Sequence, residues 1–289
     1  MIDEIVKYCH EQYQKKPLFC ENCDEFFCTK GCKQCLHDIH FTRDCHRNYD
    51  CPYMCYYYVC QNIHRYATEM FYMWYDVLSY YYTKNKAFPN LKICSIGCGP
   101  CSELIALEEC CIKYKLSFPI EFTGFDTEYT WKEIQDFIKT QSSVSDQIRF
   151  ENCDVFDYYN THDKPNVIVL NYMLSNMLKN NPDGFQQFLQ SLYTLFSKMP
   201  NGVLLINDIN IGLDNTQVRY YYNQIIRSIR LSNNIQPYCF HFADSGKNYF
   251  KYGKQRQNST LIFEVPDNVS MTFDTNTECH SAQIIIVKN

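Results

Sequence analysis

The stretch KICSIGCGPCSEL, Lys92–Leu104, decides how this chain of 289 residues is read. A short run carrying Ile93 and Ile96 stops at Gly97 and Gly99, and a helix-forming segment, Ser102–Glu109, comes next. Strand, glycine turn and helix in that order is how an α/β sheet turns backbone N–H groups toward a ligand. Glycine tolerates positive φ, and without a Cβ it lets a ligand come close to the main chain. The weight of such a motif depends on whether further strands and acidic residues stand at the right distances beyond it.

Downstream of the turn the spacing is regular. Ile120–Phe125 reads as a second strand and ends at Asp126, one helix and one strand beyond Gly99. A doubly wound fold places an acidic residue there on ribose hydroxyls. Ile148–Cys153 reads as a third strand ending at Asp154, and Asn166–Leu170 as a fourth ending at Asn171-Tyr172. The fourth is almost wholly apolar, as a strand covered on both faces must be. Gly202–Asn207 is the fifth and ends at Asp208. Helical segments at Glu128–Thr140 and Pro182–Lys198 separate them, so the alternation predicts a parallel sheet with right-handed crossovers.

The pattern resembles the class I S-adenosylmethionine-dependent methyltransferases, from about Arg65 to Asn289. SIGCGPCSEL is similar to that family's glycine-rich first motif, in which Gly97 and Gly99 match the core. The resemblance implies that Ser95, Gly97, Cys98, Gly99 and Pro100 lie against the methionine part of the cofactor. It implies that Asp126 binds the ribose and that Cys153, Asp154 and Val155 flank the adenine. Asn171 and Tyr172 match the position where substrate and sulfonium meet. Two residues depart from the family: Ser95 stands where an acid is common, and Cys101 where a third glycine is common. A nicotinamide enzyme would want Gly-x-Gly-x-x-Gly, and the third position after Gly99 is Ser102.

A chain with 46% hydrophobic residues buries a large core and is expected to form one main domain with an appendage. It has no apolar run of the ~20 residues needed to span a bilayer, and Met1–Lys7 lacks the basic start and apolar centre of a signal peptide. A cytoplasmic protein without a membrane partner is the expectation. Such proteins rarely carry disulfides, yet this one has 18 cysteines, concentrated between Cys20 and Cys60. Cys20-x2-Cys23 and Cys32-x2-Cys35 have the spacing of two metal knuckles, whose four thiolates suit tetrahedral Zn²⁺. Cys28, His40, Cys45, Cys51 and Cys55 supply candidates for a second site, so one or two zinc ions are expected in a structural role. Cys28-x3-Cys32-x2-Cys35 also matches an iron–sulfur spacing, which stays open, as does a set of buried thiols acting as small hydrophobes.

Between this segment and the first strand, Tyr66, Met70, Met73, Val77 and Tyr80 mark one face of an amphipathic helix within Tyr53–Thr83. Gln236–Phe242, Ser259–Val265 and Ala282–Val287 read as three closing strands, with Gly246–Gln257 as a polar loop near the substrate. The expected fold is therefore α/β: a Rossmann-like, doubly wound, seven-stranded sheet, with room for one extra strand, carrying an N-terminal Cys-rich metal-binding unit and a helical cap. Its expected parts are a zinc module at 1–62, a helical cap at 63–90 and a methyltransferase domain at 91–289.

Methyl transfer is an in-line displacement, so the main task is to align nucleophile and methyl carbon away from water. Asn171 and Tyr172 are candidates to hold the nucleophile, and Asp208 or His241 to accept a proton. The Asn/Asp-Pro-Pro-aromatic signature of adenine-N6 enzymes and a Pro-Cys nucleophile outside the glycine loop are both missing. RNA is the first expectation for the acceptor. Its support is the zinc module together with cations and rings interleaved over 217–256, among them Arg219, Arg227, Arg256, Tyr221, Tyr222 and Phe242. A small sugar or natural product is the second expectation, favoured by the net charge of −5 and by a deep pocket under the Tyr-rich helix, should one exist. A non-catalytic, metal-stabilised interaction protein is the third. Oligomeric state is open.

Overall fold

Apolar runs of four to six residues, separated by helices, build the sheet. In the computed structural model, which describes residues 1–17, 31–41, 48–84, 90–210, 221–229, 235–243 and 251–288, the first five strands are β1 (Leu91–Ile96), β2 (Ile120–Phe125), β3 (Ile148–Glu151), β4 (Val167–Asn171) and β5 (Val203–Asp208). Later come β6 (Ile235–His241), β7 (Lys254–Gln255) and β8 (Ala282–Lys288). The spatial order is β3-β2-β1-β4-β5-β8-β6-β7. The first five pair in parallel, β8 runs antiparallel between β5 and β6, and β7 adds a two-residue parallel edge to β6. Strand order reverses between β1 and β4, and in a doubly wound sheet the crevice at that reversal is where ligands bind.

Alternation along each strand divides two cores. Val167 and Val169 of β4, with Val203 and Leu205 of β5, face one core, while Ile168, Leu170, Leu204 and Ile206 face the other. That is why these strands read as unbroken apolar runs. The second core is closed by α6 (Val155–Thr161), α7 (Leu174–Asn180), α8 (Pro182–Ser197) and α9 (Tyr221–Ile229). The first is closed by α4 (Ser102–Tyr114), α5 (Lys132–Gln141) and the N-terminal helices.

Those helices are α1 (Ile2–Gln14), α2 (Gly31–Phe41) and α3 (Pro52–Thr83). Pro52 opens α3 at its first turn, where a missing N–H costs nothing. With 32 residues the helix is about 48 Å long at 1.5 Å per residue. Its expected face is buried at Tyr66, Met70, Met73 and Val77, but so are Ala67, Thr68, Phe71, Trp74 and Leu78 on its other sides. The helix is a shared spine: Ile2, Ile5, Val6 and Cys9 of α1 pack on it in the same core, and Trp74 Nε1 donates to the Glu103 carbonyl of α4 at 2.9 Å. Residues 62 and 63, the expected boundary of the first two parts, fall inside this one helix.

The antiparallel end departs from the expectation. Among the described residues the sheet has eight strands, the number reached with the extra strand allowed above. Ser259–Val265 is not one of them: it holds a single bridge, Thr260 to Glu278, and Ile262 N donates instead to Thr68 Oγ1 of α3 at 3.1 Å. Pro266, which has no N–H, comes immediately after and leads into a short helix, α10 (Asp267–Phe273). The eighth strand, β7, lies within the stretch expected to be a loop.

The metal candidates fall only partly within the described residues. Cys20, Cys23, Cys28 and Cys45 lie outside the described residues. Cys32, Cys35, Cys51 and Cys55 are buried in the apolar core around α3, the first two on one face of α2 because they stand three residues apart. His40 gives a ring nitrogen to a 2.6 Å hydrogen bond with the Tyr49 hydroxyl. Among the described residues, no group of three or more His, Cys, Asp or Glu is arranged to hold a metal ion. No described helix is long and apolar enough to cross a membrane.

Candidate active site at the strand reversal

A cavity of about 530 Å³ opens at the carboxyl ends of β1 to β4. Its floor is the glycine turn. Gly97 and Gly99 adopt φ values of 65° and 43°, and a Cβ on Gly97 would stand 2.7 Å from Met173 Cγ. Cys101 is also left-handed, at φ 52°, and no side chain caps α4. The first N–H groups of that helix are therefore directed at whatever occupies the turn.

Asp126 does two things at once. Its Oδ2 accepts from Gly99 N at 2.9 Å and its Oδ1 from Glu128 N at 3.0 Å, so the end of β2 holds the turn in shape. Burial pushes its carboxyl pKa up, while these two N–H donors pull it back. Each oxygen keeps a further lone pair for a hydroxyl donor. Asp154 Oδ1 accepts from Phe156 N and Asp157 N, at 2.8 and 3.1 Å, and so caps α6. That cap presents Cys153, Asp154, Val155 and Phe156 along one side of the cavity.

Asn171 and Tyr172 close the end of β4. Tyr172 is held at φ 52°, with its ring stacked on Tyr66 at 4.0 Å between centroids. Asn171 Nδ2 donates to Ser102 Oγ at 2.8 Å, and its Oδ1 accepts from Asn207 Nδ2 at 2.8 Å. Both ends of this amide are thus engaged with the protein. Behind it stands Glu69 of α3, fully buried. Glu69 Oε2 accepts from Asn207 Nδ2 at 2.9 Å, and Oε1 accepts from His280 N at 2.9 Å and from Ser281 N and the Tyr172 hydroxyl at 3.3 Å. Asn207 Oδ1 in turn accepts from Ser281 Oγ at 2.6 Å and Gln283 Nε2 at 2.9 Å.

The cavity thus gathers Gly97, Cys98, Gly99, Pro100, Asp126, Cys153, Asp154, Val155, Asn171 and Tyr172 of the expected residues. Three others lie apart from its lining. Ser95 is buried in β1 and donates to Glu103, whose pKa burial raises to about 7. Asp208 is buried at the end of β5, where it accepts from Ser175 N at 2.9 Å and Ile209 N at 2.7 Å; burial raises its pKa to about 6. His241 ends β6, which is separated from β4 by β5 and β8. Sequence reasoning missed Glu69, Asn207, Glu103, Tyr49 and Trp131. None carries a local motif, and only the acid in the first turn of α4, close to a β1 that ends without one, was open to suspicion.

Of the expected nucleic-acid patch, the described Tyr221, Tyr222 and Phe242 are fully buried, and Arg256 pairs with Asp76 at 2.7 Å against α3.

No protein-family model matches the chain, and no curated protein matches it in sequence. Among solved structures, it is similar to the plantazolicin methyltransferase BpumL in complex with a monoazolic desmethylPZN analog and SAH, at 15% identity over 100% of this chain and 99% of that one, with a TM-score of 0.46. It is similar to magnesium protoporphyrin IX methyltransferase from Synechocystis PCC 6803 with bound SAM, at 12% identity over 76% and 80% of the two chains, TM-score 0.41. It is also similar to a chain of the Pnkp1/Rnl/Hen1 RNA repair complex, at 12% identity over 72% and 40%, TM-score 0.38. Likenesses this distant say nothing of activity, and the fold is defined by the strand order itself.

Proposed function

We propose that the protein is an S-adenosylmethionine-dependent methyltransferase acting on a small acceptor. The observation that carries this is the cavity at the strand reversal, with the Gly97–Gly99 turn, the Asp126 carboxylate and the Asp154–Val155 bend along one wall and Tyr172 at its end. These residues fit the cofactor: two glycines with positive φ for close approach, an uncapped helix start for its carboxylate, and a carboxylate with spare lone pairs for its ribose. When bound, S-adenosylmethionine would supply an electrophilic methyl group on a sulfonium.

The chain's contribution is alignment and exclusion of water. Asp126 fixes the turn and offers acceptors to hydroxyls. Asn171, held from both sides, is a positioning residue that keeps the end of β4 against the start of α4, and the Tyr172 ring walls the reaction space. Asp208 acts at one remove by fixing the start of α7, and it is not assigned a proton. The aromatic lining at Tyr49, Tyr58 and Tyr66, with no basic residue among the described lining members, favours a small acceptor over RNA. Zinc in the Cys-rich stretch is a separate proposal resting on Cys20, Cys23 and the candidates beyond them. Elemental analysis of purified protein tests it, and a metal-free folded chain would discard it.

Calorimetry with S-adenosylmethionine and S-adenosylhomocysteine tests the main reading. Micromolar binding by the wild type that is lost in Asp126→Ala supports it. A folded wild type that binds neither overturns it.

A further inference from the structure

Five of the rings that line the cavity form one connected wall. Trp131 lies 5.2 Å from Tyr49 and 5.6 Å from Tyr58, Tyr58 lies 5.9 Å from Tyr66, and Tyr66 stacks on Tyr172. They come from three separate places: the turn before α5, the entry to and body of α3, and the end of β4. The lining also carries carboxamides, Asn176, Asn180 and Asn181, at and just beyond α7; Asn180 Nδ2 donates to Asn176 Oδ1 and Asn181 Oδ1 accepts from Gly184 N, both at 2.9 Å, which leaves Asn176 Nδ2 and Asn181 Nδ2 as donors. The charged members of the lining among the described residues are Asp126, Glu128 and Asp154, all acids, with no Lys, Arg or His.

The geometry points to the class of acceptor: a planar aromatic molecule without an anionic group, stacked against the ring wall with its polar edge on the carboxamides. This rests on the methyltransferase reading and extends it. Flat rings offer faces for offset stacking and edge contacts to another ring. Carboxamides both donate and accept, which suits uncharged hydrogen-bonding edges. An anion in this cavity would leave water for a site lined by three carboxylates, with the Arg65 guanidinium outside the lining and set over the Tyr66 and Tyr172 rings at 4.8 and 5.5 Å, and the repulsion at that range, screened as in a partly wet cleft, weakens binding by about tenfold. The same charge pattern disfavours a phosphate backbone, which needs basic partners.

Indole, tryptamine and indole-3-acetate share one ring and differ in charge, and they are the probes. Binding to the protein saturated with S-adenosylhomocysteine is followed by ligand-observed NMR titration, which reads weak affinities. Indole and tryptamine are expected to bind, and indole-3-acetate about tenfold more weakly or worse. Tyr66→Leu is expected to weaken indole severalfold with S-adenosylhomocysteine binding retained. Because that variant removes a stacked core ring, Glu128→Gln provides the second arm: it should raise indole-3-acetate affinity and leave indole unchanged. Equal binding of the acetate and the amine, or no indole binding by the product-loaded protein, overturns the inference. So does saturation by a single-stranded RNA oligonucleotide where the indoles fail. Absence of S-adenosylhomocysteine binding, read before any probe is added, overturns the methyltransferase reading itself.

Discussion

Replacing Glu69 by glutamine changes one atom's hydrogen-bonding sense at a buried side chain that, like its partner Asn207, makes four hydrogen bonds. The carboxylate accepts four hydrogen bonds, from Asn207 Nδ2, His280 N, Ser281 N and the Tyr172 hydroxyl. Glutamine can keep its oxygen on the three donors that share Oε1. Its amide nitrogen then stands where Oε2 was, 2.9 Å from Asn207 Nδ2, donor against donor. Asn207 cannot flip to relieve this, because its own oxygen accepts from Ser281 and Gln283. A hydrogen bond to a charged group is lost, at about 1.5–3 kcal/mol, and a buried donor is left orphaned at about 1–3 kcal/mol. With some relaxation, the expected loss is about 3 kcal/mol. For a chain of this size that lowers Tm by about 6–12 °C. Urea unfolding followed by circular dichroism measures the stability, and calorimetry with S-adenosylmethionine on the folded variant measures the site, which should bind more weakly because the displaced Asn207 amide no longer holds Asn171 in place. A glutamine variant within about 0.5 kcal/mol of wild type, the scatter of ordinary surface substitutions, would refute the reasoning.

Gly97→Ala places a Cβ 2.7 Å from Met173 Cγ at a φ of 65°, so cofactor affinity by calorimetry should fall at least about tenfold, since left-handed backbone alone costs roughly 1–2 kcal/mol. Gly99→Ala meets only ordinary contacts with Trp131 at 3.7 Å and, apart from its φ of 43°, should be the milder of the two in the same assay. Asp208 has a folded pKa of about 6 against an ordinary value of 3.8, so the folded chain keeps a proton that the unfolded chain has lost between those values. Its contribution is full below the lower value and disappears as pH rises through the upper one; urea unfolding across this window should show a shallower fall in stability for Asp208→Asn than for wild type, whatever the offset between the two curves. Asp154→Ala removes both cap bonds of α6 and should cost about 1 kcal/mol, read as a lowered urea midpoint with an unchanged slope.

The parallel half of the sheet was legible because burial on both faces forces apolar runs, and Val167–Leu170 and Val203–Ile206 are such runs. The turn was legible because positive φ forces glycine at residues 97 and 99, and the distance to Asp126 is set by one helix and one strand. The antiparallel end was read less well. Ile262 and Phe263 look like a strand, yet Ile262 N is taken by Thr68 and Pro266 ends the segment. Cysteine spacing predicts metal, and of that set Cys32 and Cys35 lie three apart on a helix and face the core, which the spacing alone does not tell from a knuckle, while Cys20, Cys23, Cys28 and Cys45 lie outside the described residues. The Glu69 hub left no trace at all: its partners are 103 to 212 residues away, and a lone acid within an aromatic helix looks like an ordinary surface residue until the fold encloses it.

That long reach gives the site a timetable. Glu69 is made early in the chain, while the N–H groups of residues 280 and 281, which hold its carboxylate, come 211 and 212 residues later. The strand directly after them, β8, sits between β5 and β6. Contacts of such separation form last, after the cost of closing the intervening loop has been met. A nascent or refolding chain can therefore display its glycine turn, Asp126 and the whole parallel half of the sheet and still lack a firm wall behind the reaction space. Full cofactor affinity should arrive only with the final strand, as the last event of folding rather than as its template.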